Sequence, residues 1–139
     1  MRQGEVMQLE IPSSPEYVTI VRHAVEGVAR RMHFDADQIE DLKLAVGEAC
    51  TNAVKYGCPT DDNPNVEVKC VMLPDCLKVE IRNNCKGPGC PVFPNRVDPS
   101  REGGRGLYLM RQLMDEVNLK WEHGIAVVTM LKRISPVMI

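Results

Sequence analysis

The sequence has no long apolar run, and none of its stretches approaches the roughly 20 residues needed to span a bilayer. Its start, MRQGEVMQLEIPSS, contains no apolar stretch of signal-peptide length, so we expect a cytoplasmic location. An excess of one charge is also missing, because 17 basic and 19 acidic residues give a net charge of −2. This balance predicts neither direct binding to nucleic acid nor attachment to an anionic membrane.

Paired cysteine motifs are absent as well. The six cysteines are spaced so that C-x-x-C never occurs, and neither a zinc site nor a thioredoxin-like redox motif therefore has its signature. The favoured interpretation is reduced thiols spread through the core and the loops. A redox or metal role for Cys85 and Cys90 stays an open alternative.

What the sequence does contain is typical of one globular domain. Its 139 residues are 44% hydrophobic and 26% charged, and a chain of this length buries about two-thirds of its unfolded surface. Hydrophobic periodicity predicts the order β-α-α-β-β-lid-α-β-β. The predicted strands cover about 6–11, 66–73, 77–83, 118–122 and 125–133, and the predicted helices about 15–33, 35–56 and 107–117.

The lid is the segment 84–104, which has no periodic pattern and is rich in glycine and proline. Long unstructured segments inside a compact domain are often functional. Helices of this length combined with a mostly antiparallel sheet predict a two-layer α+β domain with the helices on one face. The exposed face of the first helix is predicted to carry Arg22, Glu26, Arg30 and Arg31.

Glu48 and Asn52 are the first candidate functional residues. They lie four residues apart on the second predicted helix, so both side chains project from the same side, on the shoulder where the helix borders the core. A carboxylate there can orient or deprotonate a hydroxyl group. An amide oxygen one turn further on can hold Mg²⁺, which takes its other ligands from phosphate and water. A solvated polar face is the alternative interpretation.

A glycine-rich segment, EGGRGL at 102–107, precedes the third predicted helix. Gly103, Gly104 and Gly106 would let backbone N–H groups approach a ligand, and the helix N-terminus adds partial positive charge. The segment therefore predicts a phosphate cradle, in which Arg105 could also contact a phosphate oxygen. The spacing matches neither the Rossmann nor the P-loop motif. A flexible glycine hinge is the alternative.

Asn83 ends the predicted strand 77–83. Because side chains alternate along a strand, it points the same way as Leu77, Val79 and Ile81, at the mouth of the strand. An amide there can form a hydrogen bond with a purine edge or a buried water. A turn residue that merely ends the strand is the alternative.

These features together, in this order, resemble the GHKL ATPase superfamily. The segments that carry the resemblance are EACTNA at 48–53 and GGRGLYLMRQLMD at 103–115. Within the superfamily, the chain is similar to the bacterial anti-sigma-factor serine/threonine kinases of partner-switching systems, over about residues 7–133. The resemblance implies a Bergerat-type ATP-binding fold: a two-layer α/β sandwich with a mixed, mostly antiparallel sheet. It also implies a single histidine-kinase-like ATPase domain over residues 1–139.

The resemblance also implies residue roles. It makes Glu48 the general base for phosphoryl transfer and Asn52 the ligand of Mg²⁺ and ATP. It places Thr129, on the last strand, beside adenine. The other ATP-binding residues that it implies are Asn83, Gly87, Gly103, Gly104, Arg105, Gly106 and Leu107.

The implied function is that of an ATP-dependent serine/threonine protein kinase that acts as an anti-sigma factor. By resemblance, its partners are a small anti-anti-sigma protein of the STAS type, which it phosphorylates on a hydroxyl residue, and a sigma factor, which it sequesters. The resemblance is also compatible with a homodimer formed through the first helix and the sheet edge.

One motif departs from the family pattern. The strand-end motif of the family reads D-x-G-x-G, and the matching residues here are Asn83, Cys85 and Gly87. Asn83 can still offer an amide oxygen to adenine, so we expect weakened adenine recognition and low nucleotide affinity. The alternative function is a non-catalytic module of the same fold that sequesters a partner with weak or no turnover. Glu48 and Asn52, which are intact, favour the kinase.

A catalytic domain of a receptor histidine kinase is a less favoured alternative. The sequence contains no upstream dimerising helix with a phosphorylatable histidine.

Overall fold

The computed structural model describes residues 4–55, 64–84, 102–122 and 125–135. This part of the chain forms three α-helices, five strands and one short 3-10 helix, Pro15–Tyr17, directly before the first α-helix. Their order is the one that the hydrophobic periodicity predicts. The elements are β1 (Glu5–Pro12), α1 (Val18–Arg31), α2 (Ala36–Lys55), β2 (Asn65–Met72), β3 (Cys76–Asn84), α3 (Glu102–Leu113), β4 (Glu116–Glu122) and β5 (Ile125–Arg133). None of these helices is both long and apolar enough to cross a membrane.

The five strands form one sheet in the order β1-β2-β3-β5-β4, and all four pairings are antiparallel. Val79 lies opposite Met130 and Ile81 opposite Val128, and these four side chains are buried. Since directly opposed residues of an antiparallel pair point to the same face, this is the face that the helices cover. The α+β prediction is confirmed.

The core lies between this face and the three helices. Each helix contributes buried residues at the helical period, among them Val21 and Val25 of α1, Leu42 and Val46 of α2, and Met110 of α3. These side chains pack against the buried residues of β2, β3 and β5 in a single hydrophobic cluster.

Local capping explains why α2 begins where it does. The backbone N–H of Gln38 donates to Asp35 Oδ1 at 2.8 Å, and the N–H of Asp35 donates to Gln38 Oε1 at 3.4 Å. This reciprocal pair is a capping box, so the prediction that Asp35 caps the second helix is confirmed. Before it, His33 adopts φ 68° in the turn after α1.

The third helix differs from its prediction at both ends. It begins at Glu102, not after Gly106, and ends at Leu113, not near residue 117. Its end is set by the next strand, because Val117 lies opposite Met130 in the sheet. At the turn, the N–H of Asp115 donates to Leu131 O at 2.9 Å.

The bounds predicted for the lid, 84–104, overlap regular elements at both ends. Asn84 belongs to β3, where it lies opposite Asn65, and residues 102–104 are helical. The remainder, 85–101, lies outside the described residues, together with Gly87, Cys85 and Cys90.

Candidate nucleotide site

The contact between α2 and α3 brings three predicted site residues together. A Cβ atom placed on Gly106 of α3 would lie 2.9 Å from Asn52 Nδ2, 3.3 Å from Glu48 Oε2 and 3.6 Å from Asn52 Oδ1. Real Cβ atoms essentially never approach other atoms to within 3.0 Å. Any larger residue here would therefore have to displace the carboxamide of Asn52, and glycine lets the backbone of α3 pass this close to the polar pair of α2 without such a shift.

Burial also marks the site. Among the described residues, two polar side chains are buried, Asn52 with 7% of its surface exposed and Asn83 with 8%. Glu48 is half-buried, one turn before Asn52 on α2. The prediction that the pair lies on the shoulder of the helix is thus confirmed, with Asn52 on the core side and Glu48 nearer to solvent.

Asn83 occupies the end of β3 on the face that α2 covers. It follows Ile81 in the alternation and lies opposite the buried Val66. Its Oδ1 is buried and accepts no hydrogen bond from the described part of the chain. A buried amide oxygen without a donor calls for an explanation, and a ligand that supplies a donor is one.

The first turn of α3 contains Gly103, Gly104 and Arg105. The first N–H groups of a helix have no partner within the helix, and they carry the positive end of its dipole. The residues predicted to form a phosphate cradle therefore lie in this first turn itself, not in a loop before it. Leu107, which follows, is a core residue with 5% of its surface exposed, so only its backbone is available to a ligand.

At its other end, α3 is fixed by Lys132 of β5. The Lys132 Nζ donates to the Leu113 carbonyl oxygen, and it lies 3.4 Å from Asp41 Oδ2 of α2. A cation at a helix C-terminus satisfies a free carbonyl group and complements the helix dipole. This contact ties the C-terminal end of α3 to both α2 and the sheet.

Thr129 is not brought to this site. It lies opposite Glu80 of β3 and Asn118 of β4, whereas its neighbours Val128 and Met130 point towards the helices. Strand alternation therefore places Thr129 on the outer face of the sheet, away from Asn83. Its predicted place beside adenine is wrong, because one position along a strand reverses the face.

The role of Gly47 is not apparent from the sequence. A Cβ atom on Gly47 would lie 2.6 Å from Arg22 Nη2 and 2.8 Å from Arg22 Cζ, so the guanidinium group of α1 packs over this glycine. Arg22 is only partly exposed, and its Nε is buried. The expectation that Arg22 lies on an exposed face is wrong. The signal that could have indicated this was a glycine in the middle of the second predicted helix, directly before Glu48.

Among the described residues, the groups of the site that could bind a metal ion are oxygen ligands. In that part of the chain no group of three or more His, Cys, Asp and Glu residues could hold a metal ion, and Cys50, Cys70 and Cys76 are free thiols. Asn52, with one amide oxygen, fits Mg²⁺, which binds few protein oxygens and keeps phosphate and water ligands. The reduced-thiol prediction is confirmed for these three cysteines.

Comparison with known proteins agrees with this geometry. The family model described as a histidine kinase-like ATPase domain matches residues 11–132. The chain is 40% identical over 136 residues to the serine-protein kinase RsbW of Bacillus licheniformis, covering 91% of this chain and 84% of the relative. It is 35% identical over 129 residues to RsbW of Listeria monocytogenes, covering 86% and 82%.

Two solved structures share the fold. One contains the RsbU and RsbW domains of a Mycobacterium tuberculosis protein, with a TM-score of 0.72 at 17% identity, covering 95% of this chain and 33% of that one. The other is the histidine kinase domain of a blue-light-activated kinase from Erythrobacter litoralis, with a TM-score of 0.58 at 18% identity, covering 89% and 62%. The match to the family model over residues 11–132 and the identity to the curated relatives show that the chain belongs to the histidine kinase-like ATPase family, in the branch of the RsbW serine-protein kinases.

Proposed function

We propose that this chain is an ATP-dependent serine/threonine protein kinase that acts as an anti-sigma factor. It transfers a phosphoryl group to a hydroxyl side chain of a small anti-anti-sigma protein of the STAS type, and it sequesters a sigma factor in the cytoplasm. The observation that carries the proposal is the approach of Gly106 to Glu48 and Asn52, which joins a carboxylate, an amide and a glycine-rich helix start. The similarity to RsbW kinases over most of the chain supports it.

Each residue then has a defined task in the transfer. The hydroxyl oxygen of the partner attacks the γ-phosphorus of ATP, the bond to the β–γ bridging oxygen breaks, and ADP leaves. Glu48 orients the attacking hydroxyl group and takes its proton. The N–H groups of the first turn of α3, at Gly103 and Gly104, stabilise negative charge on the phosphates, and Arg105 adds a charge-assisted contact.

Asn52 is the residue that would hold Mg²⁺, and the bound ion would neutralise phosphate charge. Because Asn52 is buried, its side chain has already lost much of its rotamer freedom in the folded chain, and little more is lost on binding. Asn83 would contact the base with its carboxamide. The proposal includes a homodimer through α1 and the sheet edge, which rests on the family resemblance.

Separate measurements of ATP binding and phosphoryl transfer test the proposal. ATP would be titrated with Mg²⁺ by calorimetry, and transfer to a STAS-type partner would be followed by mass spectrometry. We expect Glu48→Gln to bind ATP but lose at least about a hundredfold in transfer, whereas Asn52→Ala should lose ATP binding. Glu40→Gln is the matched control, because Glu40 lies on the same helix with a side chain that is 73% exposed.

The outcomes separate the two functions that the sequence left open. If the unmodified chain binds no ATP at millimolar concentration, the kinase is excluded and the chain is a module that sequesters its partner. If Glu48→Gln transfers phosphate as fast as the unmodified chain, Glu48 is not the base. If Glu40→Gln loses as much transfer activity as Glu48→Gln, the loss is caused by the changed charge of α2 and not by a role of Glu48 in the site.

A further inference from the structure

Asn83 is a buried polar residue whose hydrogen bonding the described structure leaves incomplete. Only 8% of its surface is exposed, and its Oδ1 is buried without a donor. The side chains beside it on the same face, Val66 opposite and Ile81 two residues earlier, are apolar and buried. A polar group buried among apolar side chains costs free energy unless it forms a hydrogen bond. A ligand group that forms a hydrogen bond with the Asn83 carboxamide is therefore favoured over one that cannot.

A carboxamide differs from a carboxylate in what it can recognise. An ionised carboxylate only accepts hydrogen bonds, whereas a carboxamide both accepts, through Oδ1, and donates, through Nδ2. The two ends of a carboxamide are nearly equal in size, so a half-turn about the last side-chain torsion exchanges them. The same Asn83 can therefore face either an amino group or a carbonyl oxygen.

We propose that Asn83 makes the nucleotide site accept purine nucleotides with a 6-oxo group as well as ATP, which has a 6-amino group. The inference rests on the proposed function, since it assumes a purine nucleotide bound with its 6-position at Asn83. With ATP, Oδ1 accepts from the amino group. With a 6-oxo purine, Nδ2 donates to the carbonyl oxygen. An ionised aspartate at this position would offer no donor to that oxygen.

Competition between ATP and ITP tests the inference. ITP carries the 6-oxo group without the 2-amino group of guanine, so it differs from ATP only at the 6-position and at the adjacent N1, which bears a hydrogen in ITP and none in ATP. Both nucleotides would be titrated with Mg²⁺ into the unmodified chain, into Asn83→Asp and into Asn118→Asp. The last is the matched control, because Asn118 is exposed on β4 opposite Thr129, on the outer face of the sheet.

We expect the unmodified chain to bind ITP within about tenfold of ATP. Asn83→Asp should retain ATP binding and shift the ITP-to-ATP affinity ratio against ITP by about tenfold or more, because a buried carbonyl oxygen would then face a carboxylate. Asn118→Asp should leave the ratio unchanged.

Each contrary result has a separate meaning. Absence of binding by both nucleotides in the unmodified chain would overturn the proposed function. ATP binding with ITP more than about a hundredfold weaker in the unmodified chain would overturn this inference and leave the kinase intact, and this measurement requires no variant to fold. An unchanged ratio in a folded Asn83→Asp would overturn the role of Asn83.

Discussion

The two contacts that α2 makes with its neighbouring helices each depend on one glycine, but for different reasons. Against α1, Gly47 leaves room for the guanidinium group of Arg22. Against α3, Gly106 leaves room for the carboxamide of Asn52 and the carboxylate of Glu48. Both glycines lie inside helices, where glycine lowers the free energy of unfolding by about 0.5–1 kcal/mol relative to alanine. The close contact at each position offsets this cost.

The difference between the two contacts lies in the neighbour. Arg22 reaches Gly47 with the far end of a long, flexible side chain, which can move elsewhere at small cost. Asn52 is short and buried, and it has no comparable freedom. Gly47 therefore accommodates a side chain, whereas Gly106 fixes the distance between the glycine-rich start of α3 and the polar pair of α2.

The largest effect that we expect comes from Gly106→Ala. The new Cβ would lie 2.9 Å from Asn52 Nδ2, and overpacking of this kind costs about 1–3 kcal/mol. Because the displaced groups are those of the site, ATP affinity measured by calorimetry should fall by about tenfold or more. An unchanged affinity in a folded variant would show that Asn52 moves aside freely, and the contrast with Gly47 would then fail.

Gly27→Ala is the control for this variant. Gly27 lies inside α1, and a Cβ there would meet no atom within 4 Å. The substitution should stabilise the chain by about 0.5–1 kcal/mol through helix propensity alone, with ATP affinity unchanged. A destabilisation would mean that α1 tolerates no side chain at that position.

Lys132→Met addresses the other end of the α2–α3 contact. The variant keeps an unbranched apolar chain but removes the donor to the Leu113 carbonyl and the ion pair with Asp41. The Lys132 side chain is only 12% exposed, so we expect the free energy of unfolding to fall by about 1–2 kcal/mol in denaturant titration. ATP affinity should change much less than in Gly106→Ala. An equal loss of affinity would mean that the end held by Lys132 positions the site as well.

The buried thiols next to the α1–α2 contact give a pH dependence. Burial raises the pKa of Cys50 to about 12, although the Arg22 charge opposes the shift, and burial raises the pKa of Cys70 to about 11. Both values exceed the 9.0 of an unperturbed thiol. Stability due to these groups is complete below pH 9 and is lost as pH rises through the folded values, because only the unfolded chain releases its protons.

We expect a loss of about 1 kcal/mol per thiol by pH 10, measured by denaturant titration of the unmodified chain against Cys70→Ala. Alkylation of Cys50 and Cys70 at pH 8 should be slow until the chain unfolds. Rapid native alkylation of Cys50 would show that the α1–α2 contact opens readily.

The smallest expected effect is that of Gly47→Ala. Displacing Arg22 removes packing contacts and is destabilising. Alanine has a higher helix propensity than glycine, and the displaced guanidinium group, whose Nε is buried in the native state, becomes hydrated again, so both of these changes are stabilising. These opposing contributions should leave the free energy of unfolding within about 1 kcal/mol of its original value. A loss above about 2 kcal/mol would show that Arg22 is held in place as firmly as Asn52.

The order and type of the elements could be predicted because their signals are local. Alternation indicates the strands, the helical period indicates α1 and α2, and the Asp35 capping box indicates where α2 begins. The shoulder position of Glu48 and Asn52 followed from the same periodicity. Physical chemistry within a few residues fixes each of these features.

The start of α3 could not be predicted in the same way. Glycine has low helix propensity, so Gly103, Gly104 and Gly106 favoured a loop, yet all three lie within the helix. The contact with α2 requires a glycine at 106, and packing outweighed propensity. The predicted place of Thr129 was wrong for another reason. The strand register decides which face of the sheet Thr129 occupies, and its presence on the last strand does not.

The sequence by itself thus determined the element order, the α+β class, the polar pair on α2 and, through its motifs, the family. Only the tertiary structure decided that Gly106 lies against Asn52 and Glu48, that Gly47 lies beneath Arg22, and that Asn83 and Thr129 face opposite sides of the sheet. Periodicity is carried by neighbouring residues and can be read from the sequence. Contacts between residues 54 positions apart, such as Asn52 and Gly106, depend on how whole elements pack.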